Sequence, residues 1–395
     1  MSVREADKRV LTTPFYSRTS ALCETNLWSP WKAYTTVDCY SVLFEEYFAI
    51  RNATAVFDLT PMTKYRISGI DGLAYLDKLM TRKMSKLTPG RVMYGAWCND
   101  LGHVLDDGTV FHLEENVWRL CSQERHMDWL QATAMGFEVE IEDETDDVVG
   151  LAVQGPTSCQ TLKSMGLQGV ENIKPFQMRS FPFANSELLV SRTGFTGDLG
   201  YELWVTPDLA EKLWDALFEA GKSHGILPIG SHALDIARIE AGFIQADVDF
   251  VPALNVVRAG RGRSPFELGL DWLVHFDKPI FNGRKALLKE KETGSRYRFV
   301  RLDVEGNKPA NDSFVYNGKK EIVGHVTSAT WSPSAKKNIA LASVEMPWGR
   351  PEDELYAEIY YNRELQWNRL MARCHVVEGA FFDPPRRRET PPLDY

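Results

Sequence analysis

The sequence predicts an α+β chain in which strands and helices mix up to about residue 290 and an all-β domain of about 100 residues follows. Helical and strand periodicities alternate through the first three quarters. After Gly283–Lys291 strand follows strand, separated by turns and by Pro333, Pro347 and Pro351. An apolar content of 44% over 395 residues is enough for more than one core.

In chain order, KYRISGIDGL (64 to 73) reads as a strand and turn. NVWRLCSQ (116 to 123) and DDVVGLAVQG (146 to 155) alternate or cluster β-branched residues as half-buried strands do. The clearest helix runs from Pro207 to Gly221. Thr206 can cap it, Pro207 suits its first position, Asp208 complements the dipole, and Leu209, Leu213, Leu217 and Ala220 form one apolar face. A second helix, 231 to 243, opens at Ser231 and sets Asp235 and Arg238 three apart, close enough to pair. RYRFVRLDVEG, SFVYNG, EIVGHVTSAT, NIALASVEM, ELYAEIYYNRE and NRLMARCHVV then predict a sandwich or barrel. The domain division is 1–290, 291–380 and 381–395, the last an exposed tail, because DPPRRRETPPLDY holds four prolines that forbid regular structure.

A net charge of −9 offers no basic footprint for nucleic acid, so none is expected as a partner. Six scattered cysteines without a CxxC pair, and the lack of a basic-then-apolar N-terminal leader, point to reduced thiols and a cytoplasmic location. No apolar run approaches the roughly 18 residues that span a bilayer, so no membrane association is expected. The histidines, His103, His112 and His232 among them, show no metal-ligand spacing, and no metal is expected.

RTGFTGDLGYELWV, 192 to 205, places Gly194, Gly197 and Gly200 three apart ahead of Tyr201 and Glu202. It lacks the order of a dinucleotide loop and the lysine of a P-loop. Glycines so spaced allow a tight turn, or let something flat approach the backbone, before a strand. Glu202 is the anomaly: a carboxylate in an apolar strand needs firm donors, and a heterocycle with two adjacent N–H groups would supply them.

TGFTGDLGYEL resembles the TGYTGExGYEI signature of the tetrahydrofolate-dependent aminomethyltransferase family, which includes the glycine-cleavage T-protein and its demethylase relatives. Further segments resemble that family in the same order: AIRNATAVFDLTPM (49 to 62), VMYGAWCNDLGHVLDDGTVF (92 to 111), LAVQGP (151 to 156), LDIARIEAG (234 to 242), FNGRKAL (281 to 287) and SATWSPSAKKNIALASV (328 to 344). The resemblance implies a three-lobed fold around a central folate channel, with two intertwined α+β lobes and a C-terminal all-β barrel.

It also implies roles. Glu202 would bind the 2-amino-pyrimidine edge of the pterin, with Tyr201 and Phe195 beside it, Arg238 near the folate and Tyr94 lining the pterin pocket. On residues alone, Arg238 reads as the partner of Asp235, and Tyr94 as a core aromatic. The DDG at Asp106–Gly108 matches the family's essential aspartate beside the folate N5 nitrogen. Neighbours on a strand face opposite ways, so one of Asp106 and Asp107 enters the channel, and we expect Asp106. Its role would be electrostatic positioning.

Three departures qualify the match. Phe195 replaces a tyrosine, Ser122 or Gln123 stands where an asparagine is usual, and NLWSPWKAYTTVDCY (26 to 40) replaces the T-protein's HGWxMP stretch. That segment carries Trp28, Trp31, Tyr34 and Tyr40. Such rings are more often core, but ring faces also attract methylated onium groups by roughly 0.5 to 2 kcal/mol each. TPFYSR (13 to 18) is similar to the start of dimethylsulfoniopropionate demethylases. The expectation is a demethylase that moves a methyl group from a small S-, N- or O-methylated compound to tetrahydrofolate, giving 5-methyltetrahydrofolate, with the lipoyl carrier protein an unlikely partner. The alternatives are a glycine-cleavage-type aminomethyltransferase, which gives methylenetetrahydrofolate and ammonia, and a non-catalytic folate-binding protein, whose K-G-C-Y-x-G-Q-E motif is missing here.

Overall fold

The computed structural model describes residues 10–258 and 260–391. A six-stranded sheet runs Met178–Phe183, Ser186–Ser191, Gly200–Val205, Val149–Gln154, Thr54–Asp58 and Ile226–Pro228, antiparallel except for the last pair. A five-stranded antiparallel sheet runs Val92–Cys98, Val104–Glu114, Val117–Ser122, Thr63–Ser68 and Glu140–Asp143. A small N-terminal sheet joins Leu11–Thr12, Tyr34–Cys39 and Leu27–Trp31.

Of the two all-β forms open to the sequence, the C-terminal region adopts the barrel. Its strands run in the order Tyr297–Val304, Lys337–Glu345, Glu321–Ser332, Phe314–Asn317, Leu355–Arg363 and Gln366–Val377, and the last closes on the first through pairs such as Arg301↔Val377. Closure leaves no unpaired edge, and Val300, Leu302 and Val304 interleave with the small Ala340, Ala342 and Ala357 to fill a narrow interior.

The 207–221 helix starts as a 3₁₀ turn, Pro207–Leu209, becomes α-helical over Ala210–Gly221, and runs on through a second 3₁₀ turn, Lys222–His224. Thr206 makes no side-chain cap; its carbonyl accepts the Leu209 N–H at 3.1 Å. Leu209, Leu213 and Leu217 are buried, each worth about 1.5–3 kcal/mol. Trp214 joins their face, stacked on Phe218 at 4.4 Å, whereas Ala220 is only half-buried. The second helix is Ser231–Ala241; Gly230 stands at its N-cap position, and the Ser231 hydroxyl donates to Asp38 at 2.7 Å.

The two large sheets share one core. Trp204 and Ala152 from one meet Phe111, Cys121 and Val92 from the other, closed by Tyr47, Ala49 and Ile50 of the helix Leu43–Asn52 and by Ala233, Ile236 and Ala237. Trp204 meets Phe111 edge to face at 6.0 Å.

Of the segment expected as an exposed tail, residues 392–395 lie outside the described residues, and residues 381–391 pack against the body. The N–H groups of Phe381 and Phe382 donate to the Glu240 carbonyl at 2.9 and 3.0 Å, Phe382 covers the Arg51 guanidinium at 4.2 Å, and Pro385–Arg387 forms a 3₁₀ turn. The prolines do prevent longer regular structure, but side-chain charge and ring area anchor the segment. Among the described residues no helix is long and apolar enough to cross a membrane. All six cysteines are unpaired, and five are buried.

Candidate active site

Strand alternation decides which side chains of the glycine motif can meet a ligand. Along Gly200–Val205, Tyr201, Leu203 and Val205 enter the core beneath the Ala210–Gly221 helix, while Glu202 and Trp204 turn toward the five-stranded sheet. Tyr201, expected beside the cofactor, is therefore corrected: its ring is fully buried on the opposite face from Glu202. Glu202 is 8% exposed. Its Oε2 accepts from Thr193 Oγ1 at 2.5 Å and Ser191 Oγ at 3.5 Å, and its Oε1 has no hydrogen-bond partner among the described residues. Burial pushes this carboxyl up to about 7, against the pull of the Thr193 and Ser191 hydroxyls.

The glycines serve packing. A Cβ at Gly194 or Gly200 would lie 2.1 or 2.2 Å from the Gln154 amide oxygen, and Gly197 turns the loop at φ +72°. Gln154, from LAVQGP, accepts from Thr196 Oγ1 at 2.9 Å and donates to the Tyr201 and Thr193 carbonyls at 3.1 and 3.3 Å. What approaches the loop backbone is thus a side chain of this protein. Phe195 is half-buried and stacked on Phe243 at 5.5 Å.

On Val104–Glu114, Asp107, Thr109 and Phe111 share a face, and Phe111 meets Trp204. Asp107 is half-buried there, its Oδ2 accepting the Tyr94 hydroxyl at 2.7 Å. Burial first, then repulsion from Asp106, raises the Asp107 carboxyl to about 7, and Asp249 adds to the rise. Asp106, expected in the channel, faces the other way. It is fully buried and accepts the Asp107 N–H at 2.9 Å, the Glu124 N–H at 2.8 Å and His126 Nε2 at 3.2 Å. Burial raises its pKa, and His126 opposes that rise. The cause of the reversal is a β-bulge: the register shifts between Trp97↔Asp106 and Cys98↔Val104, so the faces exchange just before the aspartates.

Arg238 follows the reading made without the family. It is 1% exposed, donates to Asp235 at 2.8 Å, Asp249 at 2.5 Å, the Phe243 carbonyl at 3.2 Å and Ser328 at 2.7 Å, and so ties its helix to the barrel. Asp249, which it holds, adds to the rise of the Asp107 pKa.

The rings of the expected cage are divided: Trp28 and Tyr40 line one small cavity with Phe57, whereas Tyr34 does not join them. Trp28 packs on Tyr16 at 5.7 Å, Trp31 on Phe57 at 6.0 Å, and the Tyr34 hydroxyl goes to Asp146. The hairpin twists these rings to different neighbours, Tyr40 is buried, and only Trp31 touches the shared core. The hairpin tip instead presents Lys32, in contact with Glu124 and 3.9 Å from Asp247. Ser122, one candidate for the missing asparagine, is buried and bonds the Glu124 carbonyl at 2.9 Å; Gln123 is half-buried.

Thr193, Ser191, His126 and Asp249 escaped the sequence reading. Thr193 opens the quoted motif and could have been found there. Asp249 lies in an irregular loop with no periodic signal. Among the described residues no group of three or more His, Cys, Asp or Glu side chains is arranged for a metal ion.

A buried acid with one bonded and one unpartnered oxygen suits paired N–H donors, and a second carboxylate with a phenol lies on the facing sheet. Residues 18–278 match the family model described as the GCVT N-terminal domain, and residues 298–383 match the glycine cleavage T-protein C-terminal barrel domain. An aminomethyltransferase of Caldanaerobacter subterraneus is 33% identical over 87% of this chain and 88% of its own length. A trimethylamine-oxide aldolase of Ruegeria pomeroyi is 36% identical over 96% of this chain but 48% of that protein. In fold, the chain superposes on the glycine cleavage system aminomethyltransferase T of Bartonella henselae with a TM-score of 0.82 at 23% identity, covering 95% of this chain and 98% of that one. With both its lobes and its barrel matched, the chain belongs to the GCVT aminomethyltransferase family, whose members use tetrahydrofolate.

Proposed function

We propose that the protein is an aminomethyltransferase that takes a one-carbon unit from an amine nitrogen and passes it to tetrahydrofolate. The observation that carries this reading is the half-satisfied Glu202 carboxylate on one sheet facing the Asp107–Tyr94 pair on the other. When bound, tetrahydrofolate supplies the nucleophilic N5 nitrogen that accepts the carbon. Glu202 Oε1 would take the N–H donors of the pterin edge while Thr193 and Ser191 hold Oε2. Asp107, ionised, holds negative charge where a cationic one-carbon donor must approach, and the Tyr94 hydroxyl fixes its orientation. Phe195, stacked on Phe243, lends a flat apolar wall.

Three relatives with 31–33% identity carry the aminomethyltransferase name, which supports an amine-bound donor over a sulfonium or aryl ether. Under this reading a lipoyl carrier is a candidate partner. Demethylation of a small methylated amine is a second reading, favoured by the relative named for trimethylamine oxide and by the N-terminal hairpin. The divided rings argue against an onium cage.

Incubation with tetrahydrofolate and either aminomethyl-lipoyl carrier or a panel of methylated amines, with folate products separated by chromatography, tests both. Methylenetetrahydrofolate from the carrier is the expected result. Methyltetrahydrofolate from an amine alone selects the second reading, and no folate product from either donor removes both.

A further inference from the structure

The glycine loop is held from two sides. Gln154 packs against its inner side, and the C-terminal segment covers the outer one. Asp198, in the middle of the loop, has a side chain with no solvent exposure, yet Arg51 Nη1 reaches it only at 3.4 Å. Its principal partner is Arg386, which donates from Nε to Oδ1 at 2.6 Å and from Nη2 to Oδ2 at 2.8 Å, the planar fork that suits a guanidinium. The same Nη2 also reaches the Arg51 carbonyl at 3.2 Å. The loop grips in return: Arg192, one residue before Thr193, donates to the Arg386 carbonyl at 3.4 Å and to the Glu389 carbonyl. Arg387 lies 4.9 Å over the ring of Phe243, on which Phe195 is stacked. The family match ends at residue 383, so Arg386 and Arg387 lie beyond what that model describes.

Thr193, Phe195, Asp198 and Glu202 belong to one short stretch. Fixing Asp198 and Arg192 from outside therefore fixes the hydroxyl on Glu202 and the Phe195 wall on the inside. We propose that residues 384–391 are a clamp on the ligand-binding loop, with Arg386 as a positioning residue that pre-sets Thr193 and Phe195 for the pterin. This rests on the folate reading above. Ordering the loop before the ligand arrives removes an entropy cost from binding, so the clamp acts on affinity more than on the rate of the bound complex.

Two full-length variants, Arg386→Gln and Arg388→Ala, and a chain ended after Asp383 test it. Arg388 serves as the control, since it is exposed and, among the described residues, its ion pair is with Asp383, outside the clamp. Tetrahydrofolate binding is read by tryptophan fluorescence, the ligand-free midpoint by thermal unfolding, and residues 193–200 by hydrogen exchange. In Arg386→Gln and the shortened chain, Kd and the folate KM are expected to rise about tenfold, with kcat at saturation nearly unchanged. Exchange should quicken in 193–200 more than elsewhere in the chain, while the midpoint falls by no more than about 5 °C because Asp198 keeps Arg51 at 3.4 Å, and Arg388→Ala should match the parent. A synthetic 384–391 peptide should restore binding to the shortened chain. Parent-like binding and loop exchange in Arg386→Gln, or a loss of binding that only tracks a fallen midpoint, overturns the clamp. If the parent itself binds no tetrahydrofolate, the folate reading beneath the clamp fails instead.

Discussion

Tyr94 donates its hydroxyl to Asp107 Oδ2 at 2.7 Å, whereas Asp106, one residue earlier on the same strand, is sealed from solvent by two backbone N–H groups and His126. The proposed function thus gives the adjacent carboxylates different tasks, and substitution separates them. Asp107→Asn should fold normally and lower kcat on the order of a hundredfold, because the charge that faces the donor is gone. Asp106→Asn should instead cost about 1–3 kcal/mol in urea unfolding, since its amide turns N–H groups toward three existing donors. Equal losses of stability in both variants would contradict the division.

The Asp107 carboxyl, raised to about 7 by burial, makes kcat/KM fall as pH is lowered through that value, because protonation removes the charge. The bond from Tyr94 holds the Asp107 pKa down. Tyr94→Phe should therefore move the midpoint of the pH–rate profile upward, by about a unit at most. A midpoint displaced to lower pH would be incompatible with the contact.

The Glu202 carboxyl is pushed up to about 7 in the ligand-free fold from its ordinary value of 4.5, so the native state binds the extra proton between those values. Stability contributed by this group is fully present below pH 4.5 and is lost as pH rises through 7. Glu202→Gln should therefore stabilise the ligand-free protein at pH 8 by on the order of 3 kcal/mol relative to its effect near pH 4. The same variant should bind tetrahydrofolate at least about a hundredfold more weakly, since charge-assisted bonds to the pterin are lost. Thermal unfolding at both pH values and a binding titration measure the two effects. A variant that gains stability equally at both pH values would contradict the buried charge.

Arg238 joins Asp235, Asp249 and Ser328 across the helix and the barrel. Arg238→Ala leaves the Asp249 carboxylate buried without its cation and should destabilise by about 3–5 kcal/mol. Arg238→Lys should recover little, because an ammonium cannot span three acceptors in a plane. Denaturant unfolding distinguishes this from a ligand-binding role, in which the lysine variant would retain stability and lose only affinity.

Much of this molecule is local in origin. The strands, the apolar helix face with Leu213 and Leu217, the switch to an all-β region and the odd acid at Glu202 all follow from side-chain periodicity and from the cost of a charge in an apolar strand. Tyr201 was open to the same test, since a residue next to Glu202 on a strand must face away from it, and alternation applied there would have excluded it. Other features are decided only by the assembled fold. A bulge at Cys98–Asp106 exchanges the faces of Asp106 and Asp107, and nothing in the linear order of DDG marks it. Trp28, Trp31 and Tyr34 lie within a few residues yet part company because a twisted hairpin sends each ring to a different neighbour. Arg386 finds Asp198 across 188 residues, a pairing set by where the barrel delivers the chain's last segment. Periodicity constrains neighbours along the backbone, whereas long-range contact depends on how whole elements pack, and that is where the charge on Asp107 and the clamp on the glycine loop were determined.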